Sequence, residues 1–441
     1  MFAYYFKLAL RSLKRNVVLT ALMIAAIGVG IGASMTTVTI FRAMDADPIP
    51  EKSKKLFTLQ IDNFGPDNKK VVTGDAEHLQ NQITYIDAMA LMKAHAGVRQ
   101  SAMYETGLPL QPPDRDMLPF RVETRAAYTD FFAMFDVPFL FGGPWTSADD
   151  EGRAYVVVIG RELNDRLFHG ANSVGKTLSF DKHDYRIVGV IDRWHPLPKY
   201  YDLTDAMYGK GEEAFVPFTR AIESQMESWE STACMSDPEG YGGWQGRLTS
   251  ECVWLQFWVE LPDGADAAHY HEYLNNYAAD QQRSGRFHWG PRTRLYDVDQ
   301  WLVHEHAVSN EVRILVLVSF SFLFVCLLNA MGLLLAKIMG RAGEIGVRRA
   351  LGADRGAIFK QCLMEAAVVG LAGGLVGLVL TAVGLVGVRA LVSQDVGRLT
   401  HLNGADIVIA VALSVLATTL AGLYPTWRAA HVQPAWQLKA Q

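Results

Sequence analysis

The sequence predicts an α-helical membrane protein of four transmembrane helices, with a large α+β domain of two lobes inserted between helices 1 and 2. Three observations predict it. Val17–Phe41, Ile314–Ala336, Ala366–Val388 and Ile407–Leu423 are uncharged apolar runs, each long enough, at ~1.5 Å per helical residue, to cross a ~30 Å hydrocarbon core. Residues 42–313 form one polar block between the first run and the second. The chain is 50% apolar, yet its mean hydropathy is only +0.09, so the two characters are segregated along it.

In chain order, residues 1–16 carry Lys7, Arg11, Lys14 and Arg15 with no acid. They read as an amphipathic helix lying along the inner leaflet against membrane lipids. The first span, 17–41, has a longer apolar run than a signal peptide, and no small-residue cleavage pattern follows, so it is expected to stay as an anchor. Gly28, Gly30 and Gly32 within it allow close helix approach. The second span (314–336), the third (366–388) and the fourth (407–424) contain no charge. Ser34, Thr36, Thr37 and Asn329 are therefore expected to be helix contacts rather than a transport path. Tyr424, Pro425 and Trp427 supply an aromatic anchor and a helix stop.

Basic residues set the orientation. The connection 337–365 holds Lys337, Arg341, Arg348, Arg349, Arg355 and Lys360, and the tail 425–441 adds Arg428 and Lys439. The loop 389–406 balances Arg389 and Arg398 against Asp395 and Asp406. Both termini are therefore expected to be cytoplasmic, and block 42–313 external. That block carries 27 Lys+Arg against 41 Asp+Glu, an acidity that argues against nucleic acid as a partner.

Within the block, Leu56–Ile61 and Val253–Leu261 alternate as strands. Ile83–His95 and Ala265–Gln282 read as helices, and Thr293–Val298 as a further strand. These units bracket the β-prone runs Val122–Arg125, Tyr155–Ile159, Leu178–Phe180 and Tyr185–Ile191, while Pro238–Gly246 reads as a loop. The pattern predicts a first lobe from about 50–105 and 250–300, and an inserted lobe at about 105–250. Cys234 and Cys252 are the only cysteines of the block. An oxidising compartment lets them join, although spacing alone does not bring their Cα atoms within reach. Cys326 and Cys362 read as packing residues.

Gly170–Thr177 matches the pattern G-x-x-x-x-G-K-[ST]. A phosphate-binding loop, however, follows a strand and opens a helix, and here helix-like Arg161–Phe168 comes first and β-prone Leu178–Phe180 follows, so a plain turn is expected. His269, His271, His304 and His306 lack the H-E-x-x-H spacing and are expected at the surface. No catalytic, metal-binding or cofactor-binding residue is assigned, and no cofactor is expected.

Glu344–Ala353 is the informative stretch of the 337–365 connection. Glu344 and Arg348 stand i,i+4 in the favourable order. Ile345 and Arg349, with Val347 and Leu351 on the opposite phase, make it amphipathic. Such a helix either rests on the anionic leaflet or docks into a cytoplasmic partner. This stretch, continued by Ile358–Phe359 and Leu363–Ala366, resembles the signature after the second span of FtsX/MacB-type permeases, the mechanotransmission class of ABC transporters. Gly370–Gly374 and Gly422–Ala430 resemble that family too. Val156–Ile159 through Gly175–Leu178 to Tyr185–Val190 resembles the MacB periplasmic core domain.

The resemblance implies a multi-pass inner-membrane permease with a periplasmic domain, paired with a second copy or a sister permease above a cytoplasmic ATPase dimer. Glu344, Ile345, Val347, Arg348, Arg349 and Leu351 would couple to that ATPase. No Walker B or ABC signature stretch is present, so a separate ATPase chain is expected, and this subunit is expected to be non-catalytic. Efflux with a periplasmic adaptor and an outer-membrane channel follows by resemblance. Lipoprotein release, or activation of a periplasmic partner by an FtsX-like scaffold, are the alternatives.

Overall fold

The computed structural model describes residues 8–9, 11–12, 15–65, 79–114, 116–204, 207–234, 242–263, 266–391 and 404–430. Lys7, Lys14, Asp395, Arg398, Lys439 and residues 238–241 lie outside them. The chain divides into two compact units, a helical unit of 1–46 with 308–441 and an external unit of 47–307.

Among the described residues, the helical unit contains α1 (Val17–Met44) and, beyond the external unit, the helices labelled below in chain order. Asn310–Met339, Arg355–Val388 and Ile407–Arg428 join Val17–Met44 as the four stretches among the described residues that are long and apolar enough to cross a membrane. Small residues let them approach closely. A Cβ added at Gly28 or Gly32 would lie 2.7 Å from Val376 or 2.8 Å from Leu380, and one at Gly30 would lie 2.9 Å from Leu323. On the third span, Gly373 and Gly377 face Ile27 and Ile31, while Gly370 and Gly374 face Thr418 and Ser414. One helix thus presents two glycine stripes, each with its glycines four residues apart, one to each neighbour.

Ser34 donates to the Ser319 carbonyl at 3.0 Å, and Thr37 donates to the Ser319 hydroxyl at 2.8 Å. These are interhelical bonds of the kind expected. Asn329, expected among the helix contacts, is instead exposed on its helix. Pro425, expected to stop the fourth helix, lies inside it, and the helix continues to Ala430. A proline near a helix end removes only one backbone bond, and in the same turn the Thr426 hydroxyl donates to the Leu423 carbonyl at 2.9 Å. Cys326 and Cys362 are buried free thiols.

The external unit is built on one sheet path. Its elements are β1 (Leu56–Ile61), β2 (Ile83–Thr84), α2 (Tyr85–Ala94), β3 (Arg99–Gln111), β4 (Phe120–Ala127), α3 (Asp130–Met134), β5 (Phe139–Gly142), α4 (Ser147–Glu151), β6 (Val156–Gly160), α5 (Arg161–Phe168), β7 (Thr177–Phe180), β8 (His183–Ile191), β9 (Ala214–Pro217), α6 (Phe218–Glu223), α7 (Gly243–Leu248), β10 (Val253–Glu260), α8 (Asp266–Arg283), β11 (Thr293–Asp297) and α9 (Val298–His304). The path runs β11-β1-β10-β3-β4-β9-β6-β8-β5, with β2 on β10 and β7 on β3 and β8.

Strand alternation covers both faces. Phe57, Leu59, Val157 and Ile159 enter one core, and Leu56, Val156 and Val158 enter the other. The expected lobe boundary near residue 105 falls inside β3, which pairs with β10 through residues 99–103 and with β4 through 103–110. The expected loop Pro238–Gly246 ends in a helix, Gly243–Leu248. His304 is not a surface histidine: its ring stacks on Tyr296 at 4.6 Å and on Trp301 at 5.7 Å, because the α9 turn folds it back over β11.

Arg125 of β4 is fully buried. It bonds Asp202 and Glu212, each at 2.5 Å, and lies 3.5 Å from Glu105. Lys199 adds contacts of 2.8 Å to Glu105 and 3.4 Å to Glu212. Burial opposes the charge on Glu212, but Arg125 and Lys199 outweigh it and hold its pKa down to about 2. Glu230 goes the other way. Burial, with the Asp202 charge beside it, raises it well above the carboxylate range against the pull of Arg125, and it accepts hydrogen bonds from Gln82 and Gln256.

Candidate functional site: the helix after the second span

The second span is part of α10 (Asn310–Met339), which ends at Gly340. After Arg341 the chain forms α11 (Ala342–Ala350), then turns into α12 (Arg355–Leu391) and, later, α13 (Gly404–Ala430). The helix bearing the third span therefore starts at Arg355, well before the apolar run at Ala366.

Local chemistry explains both ends of the turn. Gly352, at φ +95°, follows the last turn of α11. Its N–H bonds the Arg349 carbonyl at 3.1 Å, and the Ala353 N–H bonds the Arg348 carbonyl at 3.0 Å. These two bonds make a Schellman C-cap, which glycine adopts without Cβ strain. Asp354 then caps α12 by accepting the Gly356 N–H at 3.0 Å.

Glu344 lies in the first turn of α11, and Arg348 and Arg349 lie in the last, as the helix dipole favours. Arg348 donates to Glu344 at 2.8 Å, and Arg15 reaches the other Glu344 oxygen at 2.8 Å. Ile345 packs on the core formed by Ile338, Ile358 and Cys362. Val347 and Leu351 point away from it, 55% and 83% exposed. Arg349 is half-buried. Of the six expected coupling residues, the structure brings Glu344 and Arg348 together, seats Ile345 inward and leaves Val347 and Leu351 outward.

A second feature was missed in the sequence. Glu365 of α12 is buried, 3.6 Å from Lys337 of α10 and 3.5 Å from Arg341. Arg341 also donates to the Ser12 hydroxyl at 2.5 Å and to its carbonyl at 3.0 Å. Glu365 thus ties Lys337 and Arg341 to α12, and Arg341 in turn holds the N-terminal segment through Ser12. Its place in Leu363–Ala366 was the only signal, since a pairing across helices leaves no local pattern.

Elsewhere, Cys234 and Cys252 are disulfide-bonded. The P-loop look-alike lies between α5 and β7, with the Lys176 ammonium over the Phe168 ring at 4.7 Å rather than at a helix N-terminus. Among the described residues, Glu105, Asp202 and Glu212 form an acidic trio with converging oxygens, but Arg125 and Lys199 already occupy the space between them.

A model of the MacB-like periplasmic core domain matches residues 20–277, and one of the FtsX-like permease C-terminal region matches 316–434. The chain belongs to the FtsX/MacB-type permease family. Among curated relatives, it is 23% identical over 302 residues to the macrolide export ATP-binding/permease protein MacB of Bdellovibrio bacteriovorus, covering 68% of this chain and 41% of that one. It is 23% identical over 383 residues to the protein of the same name from Escherichia coli, covering 85% and 51%. The chain thus spans about half the length of the curated relatives it matches.

Among solved structures, it is similar to the periplasmic region of MacB from Actinobacillus actinomycetemcomitans, with TM-score 0.37, 14% identity, and coverage of 60% of this chain and 98% of that one. It is also similar to the extracellular domain of the noncanonic ABC-type transporter YknZ from Gram-positive bacteria, with TM-score 0.33, 11% identity, and coverage of 52% and 95%. As an FtsX/MacB-type ABC transporter permease, the chain is an inner-membrane protein with a periplasmic domain.

Proposed function

We propose that this permease transmits the stroke of a separate ATPase chain to its periplasmic domain, and that α11 is the part the ATPase engages. The observation that carries the reading is the division of labour on α11. Ile345 seats the helix on its own bundle while Val347 and Leu351 project outward next to the Glu344–Arg348 pair. Two exposed apolar side chains on a helix tied down at both ends suit a hydrophobic pocket on a partner.

The positive-inside pattern favours cytoplasmic termini and a cytoplasmic α11. The subunit is non-catalytic in this reading. It pairs with a second copy or a sister permease, and efflux through a periplasmic adaptor and an outer-membrane channel is the transport it serves. Lipoprotein release, or activation of a periplasmic partner, would use the same coupling.

The test is affinity purification of the full chain in mild detergent with its cognate ATPase. Val347→Asp with Leu351→Asp places carboxylates where a partner pocket would desolvate them. Membrane insertion should be normal and the ATPase should no longer co-purify. Co-purification at the parental level would leave α11 as a helix resting on the leaflet.

A further inference from the structure

We propose that the periplasmic domain carries a ligand pocket for a two-ring aromatic group bearing an amide-like head. The cavity has a volume of about 290 Å³. Three helices build it, each through residues one turn apart: Tyr85 and Met89 of α2, Phe218 and Ile222 of α6, and Trp244 and Leu248 of α7. Side chains spaced i,i+4 share a helix face, so each helix contributes a continuous apolar strip.

Phe218 is buried and forms the floor. Tyr128 stacks against it at 5.3 Å with planes 22° apart, and Tyr85 at 6.4 Å with planes 10° apart. Three aromatic rings thus border the cavity, which favours an aromatic occupant. A cavity of ~150 Å³ lined by apolar side chains accepts benzene, so about twice that volume has room for a fused two-ring system.

The exposed side is polar. Arg153 and Glu223, paired with each other, line it. Together they offer a donor for a carbonyl and an acceptor for an N–H, which is the complement of an amide. Thr219, Gln225 and Gln245 also line the cavity, so polar groups converge beside the apolar strips, a usual feature of a small-molecule site.

The wall formed by α7 is fixed in place. The Cys234–Cys252 disulfide closes the segment that carries it. Arg247 of the same helix donates to Thr232 and lies 4.7 Å over the Trp254 ring. The disulfide thereby acquires a role in positioning Trp244 and Leu248.

An aromatic side chain of a peptide and a free aromatic amide share this chemistry, and the test separates them. The full chain in lipid nanodiscs, without nucleotide, is titrated with N-acetyl-tryptophan amide and with the tripeptide Ala-Trp-Ala. Binding is read by saturation-transfer NMR against empty nanodiscs. Saturable binding of either probe, with N-acetyl-leucine amide binding at least tenfold more weakly (about 1.4 kcal/mol), is the expected result. The tighter of the two tryptophan probes identifies the source.

Ile222→Trp fills the cavity and should abolish the signal. Arg153→Ala, an exposed change that disturbs no core, should weaken binding severalfold and keeps the test valid if the filled variant is unstable. Reduction of the disulfide should also weaken it. Signal no greater than empty nanodiscs, or parental binding by a folded Ile222→Trp, overturns the proposal. Because no ATPase is present, failure here leaves the α11 reading untouched, and failure of that reading leaves the pocket untouched.

Discussion

Arg125 in the external sheet and Gly370 in the third span are both enclosed, and for opposite reasons. Arg125 occupies a water-soluble domain whose core is large enough to hold a charged network, and it is stable there because Asp202, Glu212 and Glu105 surround it. Gly370 occupies a helix whose surroundings are already apolar, so association gains little from burying oil-like surface and depends on close contact instead. The periplasmic domain is specified by what its buried groups bond, and the helical unit by what its residues lack.

The largest effect that would break this contrast is at Arg125. Arg125→Ala removes the cation from among buried carboxylates, a change expected to cost ~3–5 kcal/mol. Proteolysis of the external domain on spheroplasts, where the outer membrane no longer shields it, should accelerate strongly while the protein remains in the membrane. Unchanged protease resistance would mean that water or Lys199 compensates, and that the network is not what specifies the domain.

Next in size is Gly370→Ala. Its Cβ would lie 1.9 Å from the Thr418 hydroxyl, so α12 and α13 must separate. Overpacking of this kind costs ~1–3 kcal/mol. Gly343→Ala is the counterpart, because that position on α11 has open space around it, and helix propensity alone predicts a gain of ~0.5–1 kcal/mol. Detergent-mediated unfolding followed by circular dichroism should shift in opposite directions for the two. Shifts of the same sign would refute the view that glycine is used in the spans for proximity.

A pH effect follows from two other carboxyls of the external domain, the buried Asp150 and the partly buried Glu305. Burial raises Asp150 to about 7, against the hydrogen bonds from Thr129 and Trp145, and raises Glu305 to about 7 despite its bond from Asn81. Between the ordinary carboxylate range and pH 7 the folded state holds more protons than the unfolded one, so stability falls as pH rises through that window and levels off above it. Glu305→Gln, which keeps an amide in place of the neutral acid, should flatten part of that slope in thermal melts taken from pH 4.5 to 8. An unaltered slope would exclude Glu305 as a contributor.

The sequence makes some of this legible and hides the rest for physical reasons. The spans are visible because lipid demands uninterrupted apolar runs, and β1 and β10 because alternation persists over their length. The long β3 is concealed by Gly107 and Pro109, which read as a break although the strand continues through them. The four-residue β9 ends in Pro217 and is too short for a pattern. Nothing local marks Arg125 or Glu365 as buried, because their partners are remote in sequence. The start of α12 at Arg355 is hidden because a helix emerging from the bilayer continues with polar residues that no apolar pattern records. In α11 the i,i+4 pair was legible, whereas the inward placement of Ile345 depends on the neighbouring helices.

The smallest effect on stability, and the sharpest on function, is expected at that pair. Glu344 and Arg348 are each nearly half exposed, and an exposed i,i+4 pair contributes only ~0.3–0.5 kcal/mol to its helix. Replacing both with Ala should leave expression, insertion and unfolding near parental values, since Ile345 and the Glu365 contacts still hold α11 in place. If the charges meet complementary groups on an ATPase, their loss should weaken its binding or abolish substrate-dependent function in a chain that is otherwise intact. The pairing of parental stability with lost coupling is what distinguishes a docking helix from a structural one. A double variant that binds the ATPase and functions like the parent would confine any docking role to Val347 and Leu351, and would show that the charges serve only to keep α11 soluble.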